Sequence, residues 1–83
     1  MSYSLVYTQR AAKDIRSLDR LVQRQLAKAF VEMAKDPLAK SKKLIHAKIG
    51  TYRFRLGDYR IVFDIHGEKV VILRVGHRRE IYR

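Results

Sequence analysis

The feature that most constrains the fold is a change of hydrophobic period in the second half of the chain. From Thr51 onward, Tyr52, Phe54 and Leu56 alternate with Arg53 and Arg55. After Gly57-Asp58 the alternation resumes, with Tyr59, Ile61, Phe63 and Ile65 interleaved with Arg60, Val62 and Asp64. Period two marks a strand with one buried face, and a Gly-Asp pair between two such runs is a tight hairpin turn. Folding on that turn sets Leu56 against Tyr59, Arg55 against Arg60 and Phe54 against Ile61. Gly67-Glu68 makes a second turn, and residues 69–75 form a third strand, apolar on both faces and therefore central. Gly76 breaks it, and a basic tail over residues 77–83 follows.

Before the hairpin the periodicity is helical. Residues 3–8 read as a short strand rich in β-formers. Thr8 can cap a first helix whose apolar face is Ala11, Ile15 and Leu18, and Asp19 a second whose stripe is Val22, Leu26, Ala29, Phe30 and Met33. Asp36-Pro37 ends the second helix, because a residue before proline disfavours the α region. Almost no loop separates the helices, so a helical hairpin is expected. A lysine-rich connection over residues 37–48 follows, with Leu44 and Ile45 as its core anchors. The order β-α-α-β-β-β argues an α+β fold: an N-terminal strand and helical hairpin on an antiparallel sheet. At 83 residues the chain supports one domain, spanning 1–83.

Charge narrows the function classes. Nineteen Lys/Arg against eight Asp/Glu leave +11 at neutral pH, a field that attracts polyanions through phosphate neutralisation. There is no cysteine, which removes disulfides, a thiol nucleophile and Cys-type zinc sites and fits a reducing compartment. No signal peptide is evident at the start, and the longest apolar run, residues 70–73, is far too short to span a bilayer. The expectation is a soluble, cytoplasmic protein with no membrane role.

The basic residues are arranged, not scattered. Arg53, Arg55 and Arg60 fall on one face of the hairpin, and like charges directly opposite each other destabilise a sheet. Arginine facing arginine suggests an anion between them; the alternative is two long side chains splaying into water. The third strand runs antiparallel to the second, so its end brings His77, Arg78 and Tyr82 towards Arg55 and Arg60. Arginines can grip phosphate and stabilise developing charge, a tyrosine ring can stack on a base, and imidazole ordinarily titrates near neutral pH. Lys40, Lys42, Lys43, Lys48, Arg79 and Arg83 are further candidates for RNA contact. His46, His66 and His77 have no carboxylate companions at ligand spacing, Asp58 reads as a turn residue, and no phosphate loop or catalytic triad is present. No metal site or cofactor is expected. Cleavage of RNA would then proceed through the substrate's own 2′-OH, with side chains as base, acid and cationic clamp.

The segment Tyr52-Arg53-Phe54-Arg55-Leu56-Gly57-Asp58-Tyr59-Arg60-Ile61-Val62-Phe63 resembles the central hairpin of the RelE/ParE toxin superfamily, and Val75-Gly76-His77-Arg78-Arg79-Glu80-Ile81-Tyr82 resembles its closing motif. The opening helix and the Asp36-Pro37 break fit as well, so the likeness covers essentially the whole chain. It implies a RelE-like microbial RNase-type fold and a RelE-type mRNA interferase: the toxin of a type II toxin–antitoxin system, cutting mRNA in the ribosomal A site by 2′-OH attack and leaving a cyclic phosphate. By position Arg60 resembles the family's phosphate-binding arginine, Arg78 the arginine that assists the leaving group, and Tyr82 the base-stacking tyrosine. Arg53 and Arg55 stand where lysines are common, and arginine stays protonated. The base is thereby left open between His77 and a weak or ribosome-supplied group. The resemblance also implies a RelB-like antitoxin as partner, contact with ribosome and mRNA, and operator DNA reached indirectly through the antitoxin. Two other readings are a ParE-type gyrase poison of the same fold and a non-catalytic RNA-binding module.

Overall fold

In a computed structural model of the protein, residues 2–39, 41–43 and 52–81 are described, with only the backbone given for 41–43. The elements run β1 (Ser4–Tyr7), α1 (Gln9–Arg16), α2 (Arg20–Lys35), β2 (Ser41–Lys43), β3 (Tyr52–Leu56), β4 (Tyr59–His66) and β5 (Lys69–His77). The strands form one sheet in the order β1-β5-β4-β3-β2.

Local chemistry places the helices as expected. Thr8 and Asp19 cap α1 and α2, their side chains accepting from Ala11 N and Val22 N, each at 3.0 Å. Their apolar stripes bury Ala11, Val22, Leu26, Ala29 and Met33 against Phe54, Ile61, Phe63, Val70, Ile72 and Val75 of the sheet. At the β3–β4 turn Gly57 has φ +59°, a left-handed backbone that glycine adopts without the Cβ penalty. The hairpin pairs Leu56 with Tyr59, Arg55 with Arg60 and Phe54 with Ile61, the predicted register.

Two features correct the sequence reading of the sheet. It is mixed, not purely antiparallel: β1 pairs with β5 in parallel, Ser4 with Lys69 through Tyr7 with Ile72. The reason is topological, since the helical hairpin supplies the long crossover that parallel neighbours require. The lysine-rich connection also contributes a strand, β2, antiparallel to β3 with Lys42 opposite Arg53. Its composition carries no strand signal; the open edge of β3 recruits it. The proposed anchors Leu44 and Ile45 lie outside the described residues.

A bulge in β5 sets the phase of the site. Val62 pairs with Arg74, but its neighbour Phe63 pairs with Ile72, so Leu73 is the extra residue. Without it, Ile72 and Val75, three positions apart, would face opposite sides of the sheet. With it both enter the core, and Arg74 shares the outer face with Val62.

β1 covers β5 only as far as Ile72. Past that point α1 takes over the strand's open edge. Thr8 N and Oγ1 donate to the carbonyls of Ile72 and Leu73, both at 3.1 Å. Asp14 Oδ2 accepts from Val75 N at 3.1 Å. Backbone groups left unpaired at this depth would each cost about 1–3 kcal/mol, so these contacts define how the helical layer docks.

Candidate nucleic-acid interface

The outer face of the sheet, away from the helices, carries the arginine cluster. Lys42, Arg53, Val62 and Arg74 lie in one register row across β2–β5, and Arg55, Arg60 and Gly76 in the next. Val62 is fully buried although it faces away from the main core. Its neighbours by register are arginines, whose aliphatic stems cover apolar surface while their heads remain polar.

Arg60 departs from the picture of a side chain splayed into water. It is 4% exposed, and its Nη1 donates to Gly57 O at 2.7 Å and Tyr59 O at 2.8 Å. The guanidinium thus turns back to clasp the β3–β4 turn while Arg55 opposite it stays exposed. The like-charge pair is therefore relieved by one partner folding under, and no anion is needed to explain it. Arg53 is half-buried, and its Nε is buried without a hydrogen-bond partner among the described residues. Such a donor is one that a bound anion would satisfy.

The tail returns to the same end. Arg78 N donates to Asp58 O at 2.7 Å, and Arg78 Nε lies 3.8 Å from Asp58 Oδ1, both side chains exposed. Asp58, read from the sequence as a turn residue, thus also anchors the start of the tail. Glu80 N and Ile81 N then close a turn on His77 O at 2.9 and 3.0 Å. That turn drives Ile81 down onto Gly76, where it is completely buried. A Cβ on Gly76 would meet Ile81 Cδ1 at 3.4 Å, an ordinary contact distance, so Ile81 packs directly over this step of β5.

His77, opposite Tyr59, stands edge-on to that ring at 5.7 Å. Its Nδ1 accepts from Arg79 N at 3.2 Å. A neutral ring with Nδ1 accepting carries its proton on Nε2 and presents an N–H donor there. To act as a base, His77 must release the Arg79 amide or change tautomer.

Of the sequence candidates, the structure sets Arg53, Arg55 and Arg60 on the outer face of the β3–β4 hairpin and brings Arg78 and His77 to its turn end, with His77 in the row of Leu56 and Tyr59 that faces the helices. Arg79 is exposed on the closing turn. Lys42 and Lys43 lie on β2, at the far edge. Lys40, Lys48, Tyr82 and Arg83 lie outside the described residues. Among the described residues there is no group of three or more His, Cys, Asp or Glu that could hold a metal ion. No helix among them is long and apolar enough to cross a membrane.

Sequence reasoning passed over Arg74 and Asp14. Asp14 is 13% exposed, Arg74 Nε donates to its Oδ2 at 2.9 Å, and Arg10 Nε lies 3.5 Å from its Oδ1. The available signal was Arg74 itself, the one charge inside the apolar run of β5.

A small α+β domain with a mixed sheet, a helical hairpin on one face and clustered arginines on the other is the architecture of the toxins of bacterial and archaeal toxin–antitoxin modules. The chain belongs to the RelE/ParE toxin superfamily: the family described as ParE toxin of type II toxin–antitoxin system, parDE, matches residues 5–82. It is 37% identical to Toxin RelG of Mycobacterium tuberculosis, with 100% of this chain and 99% of the relative covered. It is 35% identical to mRNA interferase toxin RelE of Escherichia coli, covering 99% and 92%. Among solved structures, the toxin–antitoxin complex RelBE2 of Mycobacterium tuberculosis superposes with a TM-score of 0.84 at 32% identity, covering 94% of this chain and 100% of that one. The intact Escherichia coli RelBE toxin–antitoxin complex gives 0.76 at 29% identity, covering 92% and 96%.

Proposed function

We propose that this protein is the toxin of a type II toxin–antitoxin pair and acts as a ribosome-dependent, metal-independent mRNA endonuclease. The observation that carries this reading is the convergence of Arg55, Arg60, Arg78 and His77 where the β3–β4 turn meets the tail. Whole-length identity to proteins named mRNA interferase and RelG toxin supports it.

The chemistry follows from these groups. The 2′-oxygen attacks the adjacent phosphorus, the P–O5′ bond breaks, and the products are a 2′,3′-cyclic phosphate and a 5′-hydroxyl. One proton leaves the 2′-OH and one arrives at O5′. Arg53 and Arg55 hold the phosphate, Arg60 fixes the turn beneath them through its two carbonyl contacts, and Arg78, exposed and restrained at its base by Asp58, stabilises the charge that builds as the bond to O5′ breaks. His77 in its neutral form offers an Nε2–H as a hydrogen-bond donor to a phosphate oxygen; to deliver a proton to O5′ it must first be protonated, and as base it would need the other tautomer, either of which gives up the bond from Arg79 N. Tyr82 supplies the stacking face for an unpaired base.

A RelB-like antitoxin is the partner, as in the RelBE complexes this chain resembles, and operator DNA is reached through it. Ribosomes and mRNA place the activity in the cytoplasm. A second reading, poisoning of DNA gyrase, is favoured by the ParE description of the family match.

The test is cleavage of end-labelled mRNA on programmed ribosomes with chelator present. The expected result is a cut confined to the A site with a cyclic phosphate end, lost in Arg78→Ala and Tyr82→Ala. An intact message together with inhibited supercoiling in a gyrase assay would replace this reading with the second.

A further inference from the structure

We propose that Arg74, held in place by Asp14, binds a backbone phosphate in a nucleotide subsite for single-stranded RNA at the end of β5 beyond its pairing with β1. The inference rests on the RNA-directed reading above and adds a site to it.

A guanidinium inside a run of Val, Ile and Leu needs a compensating contact, and the one it has is incomplete. Arg74 is held through Nε alone. Its two terminal nitrogens, the prongs that match a phosphate, have no partner among the described residues. Asp14 holds Arg74 only through Nε: its Oδ2 takes Arg74 Nε and Val75 N, and its Oδ1 faces Arg10 Nε. The ion pair thus fixes the direction of the guanidinium and leaves its binding edge open. With its side chain 23% exposed, Arg74 is desolvated enough for a phosphate contact to count and open enough to accept one.

The space beside it has the right size and chemistry. A cavity of about 380 Å³ lies between the two helices and is almost wholly apolar. By contrast, the cavity of about 330 Å³ between α1, β5 and the closing turn is walled by Arg74, His77, Tyr59, Ser17 and Glu80. Small-molecule sites span roughly 300–1,000 Å³, so it accommodates one nucleotide and not a duplex. His77, with Nδ1 engaged by Arg79 N, adds an N–H donor beside the Arg74 fork. Glu80 is a carboxylate acceptor on the same wall and suits an exocyclic amino group of a base. His77 also borders the arginine cluster, so a strand held at the exposed Arg55 and Arg78 is expected to reach Arg74 with a neighbouring nucleotide.

The test separates positioning from charge. Binding of the full chain to a fluorescein-labelled single-stranded oligoribonucleotide is measured by anisotropy across a KCl series. Arg74→Gln is expected to flatten the slope of log K against log salt by about 0.7, the value for one phosphate contact on a single strand. Arg24→Gln, the same charge change on the exposed face of α2, is expected to leave the slope unchanged. Asp14→Asn is the sharper arm. It makes the protein more positive by one charge but frees the guanidinium, so affinity is expected to fall about fivefold; simple attraction of charge predicts a rise. Arg74→Lys, which keeps the charge, covers the case in which Asp14→Asn does not fold, and is expected to bind about fivefold more weakly. Thermal melts identify folded variants. Equal slopes for Arg74→Gln and Arg24→Gln, or wild-type or tighter binding by folded Asp14→Asn, overturn the subsite. Cleavage on programmed ribosomes is read separately: a wild-type protein that shows the Arg74-dependent slope but cuts no message removes the nuclease reading and keeps the subsite.

Discussion

Replacing Ile81 with alanine tests how the tail is built. Ile81 is completely buried, yet it belongs to the closing turn and not to the main core, and its Cδ1 packs over Gly76 on the outer face of β5. Truncation of a buried Ile or Leu to Ala costs about 2–5 kcal/mol, the spread reflecting how far the site collapses. Here one wall is a glycine and the residue sits on the closing turn outside the main core, which favours collapse and puts the loss at about 2–3 kcal/mol. For a domain of this size each kcal/mol lowers Tm by roughly 4–8 °C, so a fall of about 8–24 °C is expected in a circular-dichroism melt. Leu21→Ala, at an exposed position on α2, serves as control and should change stability by less than about 0.5 kcal/mol. Because Ile81 holds the turn that carries Arg78, message cleavage at a temperature where both variants are folded should fall at least tenfold in Ile81→Ala and stay near wild type in Leu21→Ala. An Ile81→Ala protein that melts within about a degree of the control would refute the claim that the tail is stapled to Gly76.

Further expectations follow from the same contacts. Arg60→Lys removes the two-carbonyl clasp on the β3–β4 turn; urea denaturation should show a loss of about 1–3 kcal/mol, the usual range for a charged hydrogen-bond donor, alongside loss of cleavage. Asp14→Ala leaves Val75 N without its acceptor and should lower stability by about 1–3 kcal/mol, with amide exchange at Val75 accelerating most. Gly57→Ala places a Cβ at φ +59° and should cost about 1–2 kcal/mol through backbone strain alone, because no atom stands in its way. Partial burial raises the pKa of Tyr7, which remains 43% exposed, above its ordinary value of 10.0. Its protonated form is therefore favoured by folding, and this contribution is complete below pH 10 and lost as pH rises through the higher folded value. Tyr7→Phe should remove that alkaline loss in melts taken between neutral pH and pH 11.

Both helix caps, both apolar stripes and the β3–β4 register could be read from the sequence because each depends on neighbours close along the chain. As caps, Thr8 accepts from Ala11 and Asp19 from Val22, each three positions on, and Arg55 meets Arg60 because Gly57-Asp58 allows one tight turn. The arginine cluster was legible for the same reason, as a period-two alternation carried across a short hairpin. Tertiary structure decided the rest. The bulge at Leu73 satisfies a core that needs both Ile72 and Val75, which no local pattern announces. The folding under of Arg60 depends on burial, and the parallel pairing of β1, the recruitment of Lys42 to the row of Arg53 and the capture of Arg74 by Asp14 join groups distant in sequence, the last two 60 positions apart. Sequence alone determined which side chains stand on which face of β3 and β4, because side-chain direction along an unbroken strand is a local property of the backbone. Which of those arginines are sealed, which are anchored and which are left open to a ligand depends on burial and on shared hydrogen-bond acceptors, and those exist only once the elements have packed.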